Sequence, residues 1–170
     1  MAKRIFQVTG FTFTATSDSV VLVNNTFMSI AGATSSQRLD VLEVYWGGLA
    51  ATSAVTLLQL ARTAVAGSTT TALVSPNSDG PMDTATAALV SPPWCYTQWT
   101  NNPAVSAATT DARLNLAGNT FGGIVRWNAS PTQQWTITGS AVPATSVLRA
   151  SNAASGVAAV VSAHIIYEPY

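Results

Sequence analysis

The strongest constraint on this chain's fold lies near its C-terminus. In "VAAVVSAHIIYE", residues 157–168, Val157, Ala159, Val161, Ala163, Ile165 and Tyr167 share one parity, while Ser162, His164 and Glu168 share the other. A repeat of two belongs to a strand with one buried face, because successive side chains point to opposite sides of a sheet. "QWTITG" alternates in the same way, with Trp135 and Ile137 set against Gln134, Thr136 and Thr138. "FGGIVRW" and "SVLRAS" read as two further short strands, the adjacent glycines marking a kink or a close packing contact.

Elsewhere the alternation slips. Phe6 and Val8 share one parity, Phe11 and Phe13 the other, so a bulge at Thr9 and Gly10 is expected to bring all four to one face. "RLDVLEVYWGGLA" and "VTLLQLART" are apolar on both parities, as for strands covered on both sides, which leaves Asp40 and Glu43 for a sheet end or a subunit contact. "VVLVNNTFMSIAG" offers one bent strand or a hairpin about Asn24 and Asn25. A short helix is suggested only by "SPNSDGPMDTATAALV", with Pro81 in its first turn and Asp83 near its N-terminus. The Ala/Ser/Thr/Asn-rich segments "AVAGSTTTALVSPNSDG" and "NNPAVSAATTDARLN" read as long loops. These expectations add up to an all-β chain: one domain over residues 1–170, an antiparallel β-sandwich of jelly-roll type, with about eight strands, long loops and at most one short helix.

Composition narrows the partners. Charged residues are 8% of the chain, against about 25% in ordinary soluble proteins, and seven basic residues balance seven acidic ones. Such a chain lacks the basic footprint of a nucleic-acid or anionic-membrane binder, and its weak self-repulsion favours association. No stretch reaches the roughly 18 apolar residues of a membrane span, and the N-terminal residues read as strand texture instead of a secretion signal.

Candidates for chemistry are sparse. Cys95 and His164 are the single cysteine and histidine, so they form the one available Cys-His nucleophile pair, yet no third member follows from spacing. Cys95 reads more simply as a small buried hydrophobe. Asn77, Asp79 and Asp83 offer oxygen ligands, but turn and cap roles account for them without calcium. There is no phosphate-binding glycine motif and no spacing of metal ligands. No catalytic residue, cofactor or metal is expected.

The stretch "VSPPWCYTQWTNNP" concentrates Trp94, Tyr96 and Trp99 between prolines. Three roles are open to it as a loop: a sugar-stacking platform, aromatic anchors of a protein interface, or a lid folded over one end of the sandwich.

Taken together, "RLDVLEVYWGGLAATSAVTLLQLART", the loop ending in "VSPNSDGP", "FGGIVRW" and the terminal "SAHIIYEPY" resemble the capsid decoration, or cement, proteins of tailed bacteriophages. The resemblance implies a structural virion protein, made in the host bacterial cytoplasm and bound to the outer surface of an icosahedral shell. There it would bridge neighbouring major capsid subunits as a dimer or trimer. On this reading residues 2–13 form an N-terminal contact arm, in which Lys3, Arg4 and Phe6 meet the partner. Trp94, Tyr96 and Trp99 in the loop at residues 92–102 complete the contact. The alternative is a carbohydrate-binding jelly-roll module of a phage fibre or adhesin, since one fold serves many functions.

Overall fold

The computed structural model describes residues 4–11, 26–31, 34, 36–53, 55–62, 68–72, 80–83, 94–101, 113–119, 121–138, 148–153 and 159–170. Among them the chain is all-β and antiparallel, with no helix. One sheet is built from β1 (Phe6–Phe11), β3 (Arg38–Ala50), β6 (Gly80–Pro81), β9 (Phe121–Asn128), β10 (Trp135–Thr138) and β12 (Ala159–Pro169). Its order is β10-β3-β12-β1-β6, with β9 also paired to β3. The other contains β2 (Thr26–Ala31), β4 (Val55–Arg62), β5 (Ser68–Ala72), β7 (Trp94–Asn101), β8 (Arg113–Asn119) and β11 (Leu148–Ala153), in the order β5-β7-β2-β11-β4-β8.

The C-terminal strand organises the first sheet. β12 lies between β1 and β3, so two early strands close on the last one. Its alternation behaves as the sequence predicts: Ala163, Ile165 and Tyr167 are buried, Ser162 and Glu168 are exposed, and His164 is half-buried. Trp135 and Ile137 likewise turn inward on β10, with Ile137 buried and Trp135 packed against the core. The buried cluster joins Phe6, Val8, Leu39, Trp46, Ile165 and Tyr167 of the first sheet to Ile30 and Leu60 of the second. Each such side chain contributes roughly 1.5–3 kcal/mol when fully removed from water.

The double apolar parity of β3 has a different cause from the one expected. Tyr167 pairs Val41 while Ile166 pairs Glu43, so Leu42 is an extra residue opposite a continuous partner. This bulge exchanges the faces: Leu39 and Val41 are buried before it, Val44 and Trp46 after it. The other face carries exposed Arg38 and half-buried Asp40, Glu43 and Tyr45, and none of these four belongs to the buried cluster. The Leu42 carbonyl accepts from Ala129 N–H at 2.8 Å, where β9 ends. β9 and β10 are two halves of one edge along β3, separated by a turn in which Gln133 N–H donates to Ser130 O at 2.9 Å and Pro131 occupies the second position.

Several local expectations are corrected. β1 keeps an unbroken register with β12 from Phe6 opposite Tyr167 to Phe11 opposite Ser162, so there is no bulge at Thr9 and Gly10; Phe13 lies outside the described residues. Pro81 opens no helix. It pairs Phe6 at the sheet margin, where its missing N–H costs no ladder bond, and Met82 N–H donates to Ile5 O at 2.8 Å instead. Three stretches read as loops are strands: β5, all of "WCYTQWTN" as β7, and the Arg113 end of the second connector as β8. Threonines and aromatics favour a pleated backbone, and the prolines that suggested a loop around β7 lie outside it.

Candidate functional site

The residues first assigned to a contact do not converge. Phe6 is fully buried, its ring stacked on Tyr167 at 6.1 Å between centroids, and its strand is paired on both sides. It therefore belongs to the chain's own core and not to a free arm. Arg4 is exposed just before β1, and Lys3 lies outside the described residues. Trp94, Tyr96 and Trp99 sit on β7 of the second sheet, opposite Ala31, Ser29 and Thr70 respectively. Thr71 pairs Thr97 while Thr70 pairs Trp99, so Gln98 is an extra residue between the aromatics. Cys95, opposite Ile30, is also on that sheet, whereas His164 is on the outer face of the first. Asn77 and Asp79 lie outside the described residues, among which no three His, Cys, Asp or Glu side chains gather as a metal site.

What the structure does bring together is the outer face of the first sheet. Strand register arranges it in rows. Asn128, Glu43 and Ile166 form one, Arg126, Tyr45 and His164 the next, and Ile124, Gly47 and Ser162 the third. Glu43 is the hub. Tyr45 donates its hydroxyl to Oε2 at 2.6 Å, Arg126 Nη2 donates to Oε1 and Oε2 at 3.1 and 3.0 Å, and Asn128 Nδ2 donates to Oε1 at 3.2 Å. The Arg126 guanidinium stands 5.2 Å from the Tyr45 ring centre, and His164 meets the same ring edge-on at 5.8 Å. A second carboxylate, Asp40, accepts from Thr136 Oγ1 at 2.6 Å and from the Tyr170 hydroxyl at 3.3 Å.

Charge follows from this geometry. The Tyr45 hydroxyl bond, helped by Arg126, holds the Glu43 carboxyl below its ordinary range, and the same bond raises the Tyr45 phenol. Burial lowers the His164 imidazole, opposed by the nearby Glu43 charge. At neutral pH the face thus presents a compensated ion pair and a neutral imidazole. Its side chains are already oriented, which reduces the entropy lost on docking.

Beyond the polar rows the edge becomes apolar. Ile124 is 76% exposed and Phe121 60%. The glycines between them shape the strand as expected of a kink. Gly122 has φ +106°, a Cβ on Gly123 would stand 2.9 Å from the Asn119 carbonyl oxygen, and the pair lies opposite Gly48 alone. Asn119 fixes the corner by accepting from Phe121 N–H at 2.9 Å and donating to Ser53 Oγ at 2.8 Å.

Sequence reasoning missed Glu43, Tyr45, Arg126 and Asn128 as a unit. The available signal was the spacing of two within each pair, which puts Glu43 with Tyr45 and Arg126 with Asn128 on one face of its strand. Comparison with protein-family models, curated proteins and solved structures finds no match for this chain.

Proposed function

We propose that this chain is a structural virion protein, a decoration protein that binds the outer surface of an icosahedral phage capsid and bridges neighbouring major capsid subunits. The fold proposed with it is a β-sandwich of jelly-roll type, acting without catalysis or cofactor. The observation that carries the reading is the outer face of the first sheet: ordered side chains, an Arg126–Glu43 ion pair that compensates its own charge, and exposed Ile124 and Phe121 at its border. A shell under outward pressure is stabilised by each added interface, and contacts of roughly 800 Å² per partner are the ordinary size for specific binding. A compensated surface also keeps such binding less dependent on salt than a charge-driven one. The low overall charge and the sequence resemblance point the same way.

Imaging purified particles tests the reading. Density for this chain on the outer shell is expected, and its absence defeats the proposal. Alanine at Trp94 and Trp99 is expected to reduce shell occupancy, because aromatic side chains dominate such contacts; unchanged occupancy removes β7 from the interface. Saturable polysaccharide binding, with no shell binding, would replace the reading with the carbohydrate-binding alternative. The Tyr45 ring gives that alternative little support, since Arg126 stands over it and His164 meets its edge.

A further inference from the structure

We draw no further inference here: the strongest candidate, the apolar edge of the β3–β9 outer face where Ile124 and Phe121 are exposed beside the Glu43 cluster, carries none, because the polar groups next to it satisfy one another within the chain and nothing in the structure shows what covers it.

Discussion

The two faces of the first sheet are made by the same strands and solve opposite problems. The inner face holds Phe6, Val8, Leu39, Val41, Val44, Trp46, Ile165 and Tyr167 against the second sheet's Ile30 and Leu60, and its requirement is volume. The outer face pairs groups by chemistry: a carboxylate with a phenol, a guanidinium and an amide, and an isoleucine with a glycine. The inner face needs to be apolar and filled, so many sequences satisfy it. The outer face depends on register, since a shift of one residue would separate every pair. A single extra residue, Leu42, lets β3 serve both faces along its whole length.

Deleting Leu42 attacks that division most directly. Without it residues 38–41 exchange faces, sending Leu39 and Val41 outward and Arg38 and Asp40 inward. Two lost apolar burials at roughly 1.5–3 kcal/mol each, with charge burial added, rival the ~5–15 kcal/mol stability of a domain. The expected result is loss of the near-UV circular dichroism spectrum and of cooperative unfolding; a native spectrum would show that the strand tolerates either face.

Trp46→Ala tests the inner face alone. Trp46 is 1% exposed, and its truncation is expected to cost about 3–5 kcal/mol in urea unfolding. A smaller loss would mean that the core collapses around the space. Gly123→Ala tests the corner where the apolar edge begins. Its Cβ meets a backbone oxygen at 2.9 Å, so an expected cost of about 1–3 kcal/mol follows, measurable in the same way.

The outer face is expected to contribute least to stability and most to pH dependence. Arg126 and Glu43 side chains are 52% and 21% exposed, so Glu43→Gln is expected to cost less than about 1 kcal/mol at neutral pH. The signs of its pH effects are fixed. Glu43 has a lowered pKa in the folded chain, so its stabilisation is complete above the ordinary 4.5 and is lost as pH falls through the lowered value. His164 is also lowered, so the unfolded chain takes up the proton first; stability declines as pH falls below 6.5 and levels off beneath the folded value. Thermal unfolding against pH is expected to show both declines. His164→Asn removes the upper one and Glu43→Gln the lower, whereas unchanged profiles would deny these groups their assigned environments.

How much of this was legible in the sequence depends on the range of the interaction. β12 was readable because alternation of Ala163, Ile165 and Tyr167 is local and one face is buried. β10 was readable for the same reason. The faces of β3 were not, because a bulge shifts the parity and Leu42 carries no glycine or proline to announce it. The strand β7 was hidden by prolines just outside it. The Glu43 hub was hidden by distance along the chain: Arg126 lies 83 residues away, and only the pairing of β3 with β9 brings them together. Phe6 was misjudged because an aromatic near a chain terminus reads equally as anchor or core, until its register opposite Tyr167 is known.

The proposed role as a bridge between capsid subunits is tested most directly by the temperature at which genome-filled particles rupture. Particles assembled without this chain are expected to release their genome at a lower temperature than complete ones, and adding the purified chain back is expected to restore the difference. Equal rupture temperatures, with the chain shown to be bound in one sample and absent from the other, would contradict the account.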